Sequence, residues 1–242
     1  MRTEPSQELV TLEDLLRAQW LRLRDWVDEN ELAHSGAPSV LPGWTVAELV
    51  AHIGMAMGPL TRAQPAPGGQ PRSFAAYVTT YPDSAGDIAE RTRRLAADTR
   101  DGPLPAVERM VADGLAQLGV LRGLGADPVV TSRRGPVRLS TLVLTRLLEL
   151  VVHGDDLARS VSGDTPPTLG PLEPGALQVV ADALQDALRE TGGPELDVAD
   201  PLAWVRLACG RVHPTADAVA TALRTRHPGD GLPEVADLLP LL

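Results

Sequence analysis

Lysine is missing from all 242 residues, and the 22 basic side chains are arginines. Asparagine, phenylalanine, tyrosine and isoleucine are scarce, while Ala, Gly, Pro, Leu and Val abound. The favoured residues have GC-rich codons, which describes the source genome and not the fold. Aromatics make up 3% of the chain and the net charge is −10. Too few rings are present for a base-stacking surface, and an acidic surface repels phosphate backbones, so nucleic acid is excluded as a partner. Cys209 is the single cysteine, so no intrachain disulfide can form and a reducing compartment is expected. The N-terminal MRTEPSQELVTLEDLL is acidic and amphipathic, without the apolar stretch of a signal peptide. The most apolar run, 139–152, is interrupted by Arg146 and Glu149 and is too short and too charged to span a bilayer. These absences together predict a soluble cytoplasmic protein. No dinucleotide, P-loop, nucleophile-elbow or C-x-x-C motif is present.

What is present is apolar and helical. Hydrophobic residues reach 43%, enough for one large domain, or for one of about 160 residues plus a small one. The spacing of Leu12, Leu15, Leu16, Leu23, Trp26 and Val27 predicts a helix over 11–33, capped by Thr11. Thr45 and Glu48 form a capping box for a second helix, running to about Gly58, with Trp44 and Leu49 placed as a hydrophobic staple. A Pro/Gly-rich loop follows at 63–71. Helices are then predicted over 84–100 and 105–123, split by Pro103 and Pro105. Residues 129–139 read as a short hairpin turning at Arg134-Gly135, and 141–160 as a buried helix capped by Ser140. Residues 163–174 read as a linker. Helical patterns return at 174–191, 200–209 and 215–226. Domain boundaries are accordingly expected at 1–162 and 172–242, the second part α or α+β.

The helix at 141–160 carries a polar stripe, Thr145, Glu149, His153 and Asp156, on an otherwise apolar surface. A buried carboxylate demands a partner. Arg146 could supply an interior ion pair, or Glu149 could bond a neutral His153. His52, on the edge of the second helix's apolar face, adds a third group. Two imidazoles and one carboxylate from two helices are the ligand set of an open divalent-metal site with a free position. Asp156 would then accept an imidazole N–H from behind, unless it joins Asp155 on a solvated acidic face.

L-P-G-W-T-V-A-E-L-V-A-H at 41–52 and R-L-L-E-L-V-V-H-G-D-D-L-A at 146–158 resemble the two motifs of the mycothiol-dependent maleylpyruvate isomerase family. The resemblance covers about residues 10–160. It implies a mainly α fold, a DinB-like four-helix bundle followed by a small C-terminal domain. It implies His52, Glu149 and His153 as ligands of a divalent ion, Zn²⁺ by expectation. It implies mycothiol as thiol cosubstrate, activated for addition to an electrophilic small molecule in an isomerase or a thiol transferase. It also agrees with an actinobacterial source. A-W-V-R-L-A-C-G-R at 203–211 is similar to a segment of the family's C-terminal domain, in which Arg211 could bind a substrate anion; the simpler reading is an arginine at a helix C-terminus. Cys209 reads as a small core residue, and His34, His213 and His227 as helix-end and loop residues. Two other classes stay open: a non-catalytic metal protein, its site closed by a fourth ligand such as Asp156, and a carrier of an apolar ligand in the C-terminal part.

Overall fold

A computed structural model describes residues 4–81, 85–162, 170–226 and 235–242. The first helix, α1 (Gln7–Glu29), starts before the expected position. Its cap is Ser6, whose hydroxyl accepts the Leu9 N–H, and Thr11 lies inside the helix. Leu9 is fully buried, so the apolar face extends one turn earlier than the spacing from Leu12 suggested. The helix stops at Glu29 because Glu31 adopts a left-handed conformation (φ 52°) ahead of a 3₁₀ turn, Leu32–His34.

Helix α2 (Val46–Ala56) begins with the expected capping box: Thr45 Oγ1 accepts the Glu48 N–H, and the Glu48 carboxylate accepts the Thr45 N–H at 2.7 Å. A break at Met57 leads into α3 (Gly58–Arg62). The five-residue α4 (Phe74–Val78), capped by Ser73, had no counterpart in the sequence pattern, which is too short there to show a period. Next come α5 (Ala85–Asp98) and α6 (Pro103–Arg122). Pro103 and Pro105 stand in the first turn of α6, where no N–H is needed, so they start the helix together instead of preceding it. Strands β1 (Val129–Val130) and β2 (Val137–Arg138) pair antiparallel, with Gly135 at φ 107° in the turn. Helix α7 (Leu139–Ser162) follows at once. Ser140 does not cap it: Asp127, from the preceding loop, accepts both the N–H and the hydroxyl of Ser140.

Helices α1, α2 with α3, α6 and α7 form the four-helix bundle, α7 lying against both α1 and α2. Close approach of α2 and α6 depends on two glycines. A Cβ on Gly54 would meet the Val107 Cα at 3.2 Å, and one on Gly114 would meet the Met57 carbonyl at 3.3 Å. A buried Glu13 on α1 accepts from Arg17 and from Arg122 at the end of α6, tying those two helices.

Part of the expected linker, 163–169, lies outside the described residues, as do His227 and the first residue of the expected helix at 84–100. From residue 170 the chain is clipped to α1, where the buried Gln19 bonds the Pro171 carbonyl and the Glu173 N–H. Helices α8 (Pro174–Glu190) and α9 (Pro201–Ala208) agree with expectation. The expected helix over 215–226 does not: α10 (Ala216–Ala222) ends, and β4 (Leu223–Thr225) pairs antiparallel with β3 (Leu196–Val198). Pairing with a strand distant in sequence overrides helical spacing there, and the C-terminal part is α+β. The apolar core continues from α1 into α10. Among the described residues, no helix is long and apolar enough to cross a membrane.

Candidate metal centre

The capping box fixes the start of α2, and the glycine contacts with α6 fix its depth. Together they bury His52, which is 6% exposed and stands edge-on to the Trp44 ring at 5.2 Å. Glu149 and His153 lie one turn apart on α7. Glu149 Oε2 is 3.3 Å from His153 Nε2 and 3.7 Å from His52 Nε2. The two imidazole rings meet edge-on with centroids 4.6 Å apart. One donor atom from each of the three residues falls within 4.8 Å of the others.

Each imidazole uses its far nitrogen elsewhere. His52 Nδ1 is 3.3 Å from Thr92 Oγ1 on α5, and His153 Nδ1 is 3.0 Å from Asp156 Oδ2. An ionised carboxylate only accepts, so Asp156 holds a proton on His153 Nδ1; Nε2 donates to Glu149 when the ring is doubly protonated, and offers a lone pair to a cation when the ring is neutral. Both oxygens of Asp156 are also bonded by Arg211. Burial would raise the Asp156 carboxyl, yet His153 and Arg211 bring it down to about 2. Burial likewise opposes ionisation of Glu149, and hydrogen bonds from both imidazoles with the Arg146 charge hold it well below the usual carboxylate range. Burial, aided by the neighbouring His153, depresses His52. In His153 burial is outweighed by Asp156 and Glu149, and its pKa is raised.

The donor set fits a divalent cation. Ligand atoms about 2.0–2.2 Å from a tetrahedral ion lie roughly 3.3 Å apart, close to the spacings around Glu149 Oε2. The interior ion pair with Arg146 is a poorer account. Arg146 stays 3.9 Å from Glu149 and donates instead to the Ala56 carbonyl at 2.6 Å and the Tyr81 hydroxyl at 3.0 Å. Asp156 stands behind His153 with its oxygens occupied, so it does not close the group. It does not join a solvated face either: Asp155 and Asp156 are both buried, Asp155 holding Arg206 as Asp156 holds Arg211. Thr145 points away, its hydroxyl returned to the Leu142 carbonyl.

A cavity of about 310 Å³ opens on Glu149 and His153, walled by Leu148, Val152, Leu242, Cys209 and Arg211. Burial pushes the Cys209 thiol up to about 12, so it is no nucleophile at neutral pH. Arg211 reaches this cavity, but its guanidinium is committed to Asp156 and to the Cys209 carbonyl. Thr92 and Tyr81 escaped the sequence reading. Thr92 is a fully buried residue of a charged helix, and a lone hydroxyl in E-R-T-R-R is its local signal.

The sequence model of the mycothiol maleylpyruvate isomerase N-terminal domain matches residues 16–158. The chain belongs to this family. The matched stretch contains α2 and α7, and so all three donors, while Arg206, Cys209 and Arg211 lie beyond it. Two crystal structures share the fold. A mycothiol-dependent maleylpyruvate isomerase is 20% identical over 88% of this chain and 93% of its own, with a TM-score of 0.53. A histidine-to-alanine mutant of a mycothiol-dependent maleylpyruvate isomerase is 18% identical over 84% of this chain and 90% of its own, with a TM-score of 0.55. No curated protein matches the sequence significantly.

Proposed function

We propose that the protein is a metal-dependent enzyme that uses mycothiol to act on an electrophilic small molecule. The observation that carries this reading is the convergence of His52 Nε2, His153 Nε2 and Glu149 Oε2 beside an open cavity, with both Nδ1 atoms bonded away from it. Family membership supports mycothiol as the thiol. His52, Glu149 and His153 would hold the ion, and the donor set suits Zn²⁺. A bound divalent cation lowers the pKa of a thiol that approaches it. Glu149 contributes negative charge that is already ionised, and Asp156 fixes the orientation of His153. Leu148, Val152 and Leu242 give the cavity apolar walls, against which a bound thiol would displace water. Addition of that sulfur to an electron-poor double bond, rotation, and loss of the same sulfur would isomerise the substrate. Retention of the new carbon–sulfur bond would make the enzyme a transferase.

Purified protein should carry close to one divalent ion per chain, and Glu149→Gln should lower the metal content while leaving the helical signal intact. In cobalt-substituted protein, mycothiol should produce a sulfur-to-metal charge-transfer band at lower concentration than glutathione does. Absence of the band with either thiol would remove the thiol mechanism. Retention of full metal content by His52→Ala and His153→Ala would remove the metal assignment.

A further inference from the structure

Two of the three donors, His52 and Glu149, also border a second recess, lined further by residues of α2, α3 and α5. This narrow cavity, of about 80 Å³, has His52 and Glu149 in its wall. Five arginines line it: Arg62, Arg91, Arg133, Arg134 and Arg146, with Glu149 as the one carboxylate among the described residues. Such a gathering is far from the average of a chain with net charge −10. Three of the five are engaged by the protein. Arg146 bonds Ala56 and Tyr81, Arg134 bonds Thr80 and lies 4.7 Å over the Tyr81 ring, and Arg133 reaches Asp87 at 3.4 Å.

Arg62 and Arg91 are different. Among the described residues neither has an acidic partner or a hydrogen bond through its guanidinium. The Arg62 head is folded back onto the first turn of α3: a Cβ on Gly58 would come within 2.8 Å of its Nη1. Burial lowers the Arg62 pKa, and the charges of Arg91, Arg133 and Arg146 lower it further. Like charges gathered in a recess repel one another until an anion joins them. Guanidinium groups suit planar or tetrahedral oxyanions, which they hold through paired N–H donors.

We infer that this recess binds the oxyanion group, carboxylate or phosphate, of a small anionic substrate, with Arg62 and Arg91 as its main ligands. Calling that anion a substrate rests on the function proposed above; the binding itself does not. Glu149 in the wall repels the charged group, which therefore sits beside Arg62 and Arg91. The uncharged, reacting part of the molecule then extends towards the cluster. The thiol would enter through the other cavity, that of Cys209 and Leu242.

Calorimetric titration of the purified protein with succinate and with inorganic phosphate, at fixed ionic strength, tests this. Saturable binding of at least one is expected. The Arg62→Gln/Arg91→Gln variant should weaken it by about tenfold or more, the effect of losing charge-assisted bonds. Arg94→Gln, on the same helix but paired with Glu90, should leave it unchanged. Gly58→Ala, which displaces the Arg62 head without removing charge, should weaken it by a smaller factor. If the double variant does not fold, the single substitutions carry the same test. Preference for succinate would identify a carboxylate substrate, and preference for phosphate a phosphate ester. Binding of neither anion, or wild-type affinity in the folded arginine variants, would overturn the inference. The arginine variants should also keep their metal content and cobalt–thiol band. A protein that lacks metal but binds anions through Arg62 and Arg91 would therefore remove the thiol reading and leave this one standing. A metal-loaded, thiol-binding protein without anion affinity would do the reverse.

Discussion

His52 and His153 face the same carboxylate from different surroundings. Behind His52 stands Thr92, a neutral hydroxyl on α5 at 3.3 Å. Behind His153 stands Asp156 at 3.0 Å, itself bonded by Arg211 from beyond α9. Burial acts against the charged form of both rings. With the hydroxyl behind it burial prevails and the His52 pKa falls; with the carboxylate behind it burial is overcome and the His153 pKa rises. A more basic imidazole is a stronger donor to a cation. One half of the site is thus built within the bundle and held by a neutral contact. The other half is ionic and depends on the C-terminal segment.

The largest test of this asymmetry removes the ionic half. His153→Ala should lower metal affinity by more than about 100-fold, beyond the range for losing an outer partner, in competition against a chelator. A greater loss in His52→Ala would invert the comparison.

Asp156→Asn comes next, with a loss of about 10- to 100-fold. In metal-stripped protein the same change should also lower stability. The Asp156 pKa is depressed in the folded state to about 2, so its contribution is complete above the unfolded value of about 4. That contribution, on the order of 2 kcal/mol, disappears as pH falls from 4 towards 2. Denaturant melts of wild type and variant should differ at pH 7 and converge in acid. A gap that persists at pH 2 would show that packing, not charge, sets the effect.

Thr92→Val should be milder, less than about tenfold in metal affinity, because a neutral hydrogen bond is lost and the shape is kept. Equal losses for Thr92→Val and Asp156→Asn would erase the distinction between the halves. The smallest effect belongs to Cys209→Ala, expected within about twofold of wild type in metal and thiol binding, since a thiol with a pKa near 12 stays protonated. Alkylation of Cys209 in native protein at pH 7.5 (roughly a unit below the ordinary thiol value) should be slow and follow unfolding.

The bundle half was legible in the sequence because its signals are local. Thr45 and Glu48 are three residues apart, and Glu149 and His153 four, so one helical turn brings each pair together. The mainly α class and both motif helices followed from that spacing. What was hidden depends on contacts between distant segments. Thr92 reaches His52 across 40 residues, and Arg211 reaches Asp156 across 55. The Asp127 cap on α7 comes from a loop 13 residues back, so Ser140 looked like the cap. Strand β4 resembles the end of a helix until β3 lies beside it. The five arginines of the second recess come from α3, α5, α7 and the β1–β2 turn, which no single window contains.

Adjacent carboxylates on α7 have a consequence for how this architecture can diversify. Successive helical residues point about 100° apart, so Asp155 and Asp156 leave α7 in different directions. Each grips its own arginine, Arg206 on α9 and Arg211 just after it. Two anchors with different bearings fix rotation as well as distance. A replacement C-terminal module, gained by gene fusion or by drift, would therefore keep both its attachment and the support of His153 only if it brought two guanidiniums at matching bearings. A module with the Asp155 partner alone would stay attached while leaving His153 without its oriented backing. Attachment and competence are separable traits here, carried by neighbouring residues and open to selection one at a time.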